Sequence, residues 1–246
     1  MTSSKADGLP EGMYVGLLSS LFVLRYAAGV NPPRALYWLV LIGLFFFSAF
    51  RFQVGCDWTG YYYNYIQGES IDYAEAFANR EPLWWIIQVA FNQLGLPYPA
   101  INVLTSAIFF AGIHAFARRQ PDRLGFLVLL FPILIVNMPM SGIRQGAAIG
   151  LFCLALIAFL DYRPIRFIGW LLLASSIHSS ALAFLLLTPL ATGRFTNLRI
   201  AIAALLAIPG LLLLAQTDDA QVAISRYVDS NQDAFGAVFR VSILAL

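Results

Sequence analysis

Apolar runs long enough to cross a bilayer, parted by short charged clusters, constrain this chain more than any other feature. A helix that crosses the hydrocarbon core needs about 20 mostly apolar residues, within a range of about 17–25. Runs of that kind lie at 13–30, 35–50, 99–117, 124–140, 145–161, 167–189 and 198–215, and a shorter one covers 82–96. Composition points the same way. The 246 residues are 60% hydrophobic and 11% charged, against roughly 25% charged in ordinary soluble domains. The expected fold is all-α, a polytopic transmembrane helical bundle of seven full spans and one partial or re-entrant helix, with 1–246 as a single transmembrane domain.

The links between runs carry turn chemistry. Asn31-Pro32-Pro33 separates the first two, and Pro97-Tyr98-Pro99 precedes the third. Proline lacks the backbone N–H and belongs where helices begin or end. Ser141-Gly142 is placed to cap a helix that starts near Arg144. The first twelve residues are polar, with Lys5 against Asp7 and Glu11. They lack the basic region and small-residue cleavage site of a secretory signal. Cys56 and Cys153 fall in a polar loop and an apolar run, so they suggest neither a disulfide framework nor a metal site. A net charge of +2 sets up no long-range field for nucleic acid.

Orientation follows the Lys/Arg bias of short loops. Arg118, Arg119 and Arg123 form one cluster, Arg163 and Arg166 another, and both are expected on the cytoplasmic side. The loop 51–81 carries Asp57, Glu69, Asp72, Glu75 and Glu81 against Arg51 and Arg80. It is expected outside, which requires 82–96 to be re-entrant or to lie on the surface. Gln88, Asn92 and Gln93 suit that reading, because amides are costly against lipid and acceptable beside a cavity. The same count leaves Arg194 and Arg199 outside and the acidic loop 216–240 inside, against the bias. Residues 241–246 read as the first turn of a further span, so the chain is expected to continue.

Three constellations can carry chemistry. Arg51, Gly55, Asp57, Trp58 and Tyr61 follow the 35–50 run directly. Gly55 permits a tight turn, and a carboxylate beside aromatic rings is a way to hold a sugar. An interfacial aromatic belt with solvated charges would present the same residues. Ser141-Gly142-Ile143-Arg144-Gln145 opens the 145–161 helix. There a guanidinium can grip pyrophosphate in two-pronged fashion, aided by the positive helix N-terminus. An arginine snorkelling to the interface would look alike. His178, among Ser175, Ser176, Ser179 and Ser180, is expected near the middle of an apolar helix. An ionisable residue at that depth is a functional candidate; a histidine bonded between helices is the alternative. His114, near a helix end beside Arg118, reads as structural. No metal-ligand cluster, Walker loop, nucleophile elbow or dinucleotide fingerprint is present.

Taken in order, Arg51, Gly55, Asp57 and Tyr61 after a span, Arg144-Gln145 opening a helix, and His178-Ser179-Ser180-Ala181-Leu182 resemble the EpsG-like family of exopolysaccharide polymerases, related in role to Wzy-type O-antigen polymerases. The resemblance runs from about Tyr14 to Arg240, with Cys56 where a small residue such as Thr is expected. It implies a multi-pass protein of the bacterial inner membrane that joins undecaprenyl-pyrophosphate-linked oligosaccharides, without a cofactor or metal. A chain-length regulator and a flippase of the same pathway are the implied partners. Arg144, helped by Arg51, would bind the donor pyrophosphate, and Asp57 or His178 would take the acceptor's proton, with Asp57 ranked first. A glycan ligase using the same donor is one alternative. A flippase or permease for lipid-linked sugar is the other, although no inverted repeat is visible.

Overall fold

The computed structural model describes residues 11–29, 32–51, 53–55, 57–193 and 196–205. Cys56, most of the run 198–215, loop 216–240 and the apolar start at 241–246 lie outside the described residues. The chain divides into two compact units, Met1–Gly193 and Arg194–Leu246. Within the second, 197–205 is helical, and the Thr196 hydroxyl accepts from the Arg199 N–H at 3.4 Å.

The first unit is built of helices among the described residues: α1 (Glu11–Ala28), α2 (Arg34–Ala49), α3 (Trp58–Gln67), α4 (Tyr73–Ala78), α5 (Pro82–Gln93), α6 (Pro99–Ala117), α7 (Arg123–Leu130), α8 (Ile143–Leu160) and α9 (Pro164–Ser175), followed by a 3₁₀ helix, Ser179–Leu190. Two of these, α6 and α8, are long and apolar enough to cross a membrane, with mean hydropathies of 1.7 and 2.0.

The α6–α8 pair is the centre of the packing. A side-chain carbon at Gly112 would strike the backbone carbonyl of Gly150, and one at Gly150 would strike the backbone of Ile108 and Phe109. Small residues of this kind let two apolar helices approach backbone to backbone, the main source of attraction where lipid is as apolar as the side chains. Phe109 and Ile113, fully buried, extend this contact into a core shared with Leu41, Leu44, Leu124, Leu127 and Phe131. The expected run 124–140 begins as α7 and widens to a π turn at Phe131–Ile135. Pro132 has no N–H to return to the preceding turn, and the looser register absorbs the loss.

Side-chain pairs sort the helix ends. Arg119 grips Asp161 with two bonds of 2.6 and 2.8 Å, so α6 and α8 finish together. Arg25 bonds Asp122 at 2.6 Å, and the Tyr37 hydroxyl bonds His114 Nδ1 at 3.0 Å, so α1 ends and α2 begins there too. This basic end also holds Arg118, Arg123, Arg163 and Arg166. At the far end, Ser48 bonds Ser106 at 3.0 Å and Arg51 reaches Asn102 at 3.3 Å.

The run 167–189 is not one helix. α9 stops at Ser175, where the Ser175 and Ser176 hydroxyls donate back to the carbonyls of Leu172 and Leu173 at 2.8 and 2.7 Å. Such bonds compete with the helical ladder. His178 is then extended, at φ −148° and ψ 112°. The 3₁₀ helix turns back against α9 and reaches α8 at Phe184, whose ring centroid lies 4.3 Å from that of Phe152; Ala181 shares a buried cluster with Ile143 and Ala147, and Ala191 shares one with Ala158. Gly193 meets the ring of Tyr162, just past α8. Residues 164–193 are therefore a hairpin whose two feet share the basic end. His178 sits at its tip rather than in the middle of a helix.

The segment 51–81 is not an open loop either. The i, i+4 pair Tyr61 and Tyr65 gives α3 a buried face, and Asp72 caps α4 by accepting from the Glu75 N–H at 2.7 Å. The 12 residues of α5 span about 18 Å, short of the roughly 30 Å core. Both ends of α5 stay at the far end, which fits a re-entrant or surface helix.

Two outcomes test this fold. Gly150→Val drives a branched side chain into fixed backbone and is expected to lower stability in detergent by about 3 kcal/mol, read as an earlier thermal transition. Single cysteines at Ser70, Gln120 and Thr192, in a chain lacking Cys56 and Cys153, report the hairpin. An impermeant maleimide applied to intact spheroplasts should reach Ser70→Cys alone. Labelling of Thr192→Cys together with Ser70→Cys would restore the single span over 167–189.

Candidate functional site

At the far end, three segments distant in sequence converge on Glu81. This residue precedes Pro82, the first residue of α5, and its side chain is 9% exposed. Its Oε2 accepts from Arg144 Nη1 at 2.6 Å. Its Oε1 accepts from the Ser179 N–H at 2.8 Å and lies 3.1 Å from His178 Nδ1. An ionised carboxylate only accepts, so Nδ1 carries the hydrogen, and in the neutral imidazole Nε2 is the nitrogen with the lone pair. The hairpin tip is tied to α5 a second time, because the N–H groups of Leu83 and Trp84 donate to the Ser176 carbonyl at 2.9 and 3.2 Å.

Electrostatics follow from that geometry. Burial pushes the Glu81 carboxyl up, but the bonds from His178 and Ser179 and the charge of Arg144 outweigh it and hold the pKa down at about 2. The positive N-terminal end of the 3₁₀ helix faces the same carboxylate. Arg144 also lies over two rings that meet edge to face, with its guanidinium carbon 5.6 Å from the Tyr61 centroid and 5.9 Å from that of Trp84, an attractive arrangement for a cation. Its Nε is buried without a hydrogen-bond partner.

The structure thus brings Arg144, His178 and Tyr61 together. Arg51 lies elsewhere. It is 6% exposed and donates to the carbonyls of Ser48 and Pro139 and to Asn102. Burial pushes its pKa down to about 10, which leaves it cationic at neutral pH. Gly55 has φ +104°, and a side-chain carbon there would strike the Met140 carbonyl. Arg51 and Gly55 therefore press on the 139–141 turn that launches α8. Asp57 stands exposed at the start of α3, without a side-chain capping bond. Trp58 stacks on Tyr62 with centroids 5.1 Å apart. Gln145 is exposed and folds back over Gly142. Gly142, and not the Ser141 hydroxyl, caps α8. His114 bonds Tyr37 and stacks 4.5 Å from Trp38 at the basic end, a structural setting.

Sequence reasoning counted Glu81 only among the acids of 51–81. The overlooked signal was its position: an acid just before Pro82, at the mouth of an apolar helix whose first turn carries Trp84. Among the described residues, no three His, Cys, Asp or Glu side chains gather as metal ligands.

A helical membrane protein with a part-buried Glu–Arg–His cluster at a helix break is the class these features define. The chain belongs to the EpsG family, which its residues 34–246 match. No curated protein and no solved structure matches it.

The cluster has a pH signature. A carboxyl whose folded pKa lies below its ordinary 4.5 contributes stability that is complete above that ordinary value. The contribution is lost as pH falls through the window from about 5 to about 2. Glu81→Gln should remove this component, so the gap between wild type and variant in thermal unfolding closes across that window. At neutral pH, Glu81→Ala, which strands Arg144, should cost on the order of 2 kcal/mol.

Proposed function

We propose that this chain is a polysaccharide polymerase of the bacterial inner membrane. It would be a multi-pass glycosyltransferase that joins undecaprenyl-pyrophosphate-linked oligosaccharide units, with the Glu81 cluster on the outer side. Family membership supports the polymerase role. The observation that carries the mechanism is the Arg144–Glu81–His178 line, in which one carboxylate fixes both a phosphate-binding type of side chain and a base.

In this reading Arg144 meets the donor pyrophosphate with its remaining terminal N–H groups at the head of α8. Tyr61 and Trp84 hold the guanidinium plane. Glu81 orients His178 through Nδ1, which leaves Nε2 to accept the proton of the attacking sugar hydroxyl. That oxygen attacks the anomeric carbon of the donor glycan, the bond to the pyrophosphate oxygen breaks, and undecaprenyl pyrophosphate leaves. Arg144 stabilises the charge that develops on the leaving group. The held geometry of His178 favours it over Asp57 as base, which leaves Asp57, Trp58 and exposed Gln145 as contacts for the sugars. Arg51 and Gly55 act through the turn before α8, as positioning residues.

Purified protein in detergent, given lipid-linked repeat units, tests this reading. Longer glycans and free undecaprenyl pyrophosphate are expected together. Arg144→Lys keeps the charge but loses the fork, and should slow lengthening on the order of 100-fold. A permease would leave the repeat units unchanged, and a ligase would not lengthen them without its own acceptor. Either result overturns the polymerase assignment.

A further inference from the structure

The basic end of the first unit holds a cavity of about 570 Å³, within the range of ligand sites. Arg34, Arg118 and Arg123 line it, with Tyr37, Trp38 and His114 as its aromatic wall. Among the described residues no acidic side chain does. The neighbouring charges of this end are already spent: Arg119 pairs with Asp161, and Asp122 pairs with Arg25 while capping α7. The side chains of Arg34, Arg118 and Arg123 make no ion pair or hydrogen bond among the described residues.

The Lys/Arg bias accounts for arginines at this end, and one of them, Arg118, also offsets the carbonyl terminus of α6. Neither effect calls for three guanidiniums around one cavity with no carboxylate. The positive field is reinforced by the N-terminus of α2, which has no side-chain cap and no acid in its first turn. Next to the cavity, α2 presents Trp38, Leu39 and Ile42 outward, 45%, 70% and 47% exposed. A ligand seated here meets cations at one end and an apolar helix face at the other.

We propose that this cavity binds a phosphate group carried by a membrane lipid: an anionic phospholipid headgroup held by Arg34, Arg118 and Arg123, with its acyl chains along α2. Guanidiniums match phosphate oxygens in two-pronged fashion, and the Trp38–His114 pair supplies the amphipathic rim at which headgroups settle. The site stands at the opposite end of α6 from Asn102 and Arg51, separate from the Glu81 cluster, and does not depend on the reaction assigned there.

The test is binding to the purified full chain in neutral detergent, read by native mass spectrometry with phosphatidylglycerol as the probe and phosphatidylcholine as the zwitterionic comparison. Saturable retention of phosphatidylglycerol is expected. Near a membrane surface each basic residue is worth roughly a fivefold change in affinity. Arg34→Gln alone, an exposed helix-end change that spares the fold, should weaken binding about fivefold, and Arg34→Gln with Arg118→Gln and Arg123→Gln about a hundredfold. Arg163→Gln with Arg166→Gln, at the same end but outside the cavity, should leave affinity within about twofold. Failure of millimolar inorganic phosphate to compete identifies the lipid as the source. Competition by it keeps the phosphate site and reassigns it to a soluble anion. Equal retention of both lipids, or equal loss in the Arg163/Arg166 variant, overturns the proposal.

Discussion

A carboxylate taken out of water must be given hydrogen bonds and a counter-charge, or it costs several kcal/mol. Glu81 receives both from three places at once: Arg144 at the head of α8, and His178 and the Ser179 N–H at the tip of the 164–193 hairpin. The requirement is mutual. Arg144 needs an anion, and the first backbone N–H of the 3₁₀ helix needs an acceptor. Because no one of these groups is satisfied without the others, the start of α5, the head of α8 and the broken helix are fixed relative to one another. The tip would otherwise leave polar backbone groups without partners.

That dependence accounts for which parts of the fold were legible in the sequence. α6 matches the apolar run 99–117, and α8 begins two residues before the run 145–161, because continuous apolar helices are marked by length and hydropathy alone. The run 167–189 has the same hydropathy but is broken at Ser176–His178, since a helix break at a polar tip depends on what the tip touches. Ser175 and Ser176 were noticed only as neighbours of His178. Their effect is local, in bonds back to Leu172 and Leu173 that end the helix.

The site was half legible for a related reason. Residue type and depth pointed to Arg144 and His178, and the two do share a centre. The carboxylate between them was hidden among other acids, because its neighbours are 63 and 97 positions away. Arg51 and Gly55 were read as ligand contacts because they sit with Asp57 and Trp58 in sequence. In space they face the other way, towards Pro139 and Met140. A buried arginine bonded to backbone carbonyls is spent on structure, and Gly55, at φ +104°, makes the expected tight turn and a close approach to the Met140 carbonyl as well.

These positions leave a division of labour between two ends of one helix pair. The contact at Gly112 and Gly150 lets α6 and α8 run side by side, so whatever fixes one end sets the geometry of the other. At the Glu81 end, Arg51 and Gly55 hold the turn that aims Arg144, while Asn102 of α6 bonds the same Arg51. At the basic end, Arg119 and Asp161 lock the two helix termini together. The proposed glycosyl transfer, with a pyrophosphate leaving group at the head of α8, would need a guanidinium that does not drift, because a misplacement near 1 Å costs on the order of 100-fold in rate. A helix clamped by glycine contact along its length and by charge pairs at both termini meets that need without any ligand present.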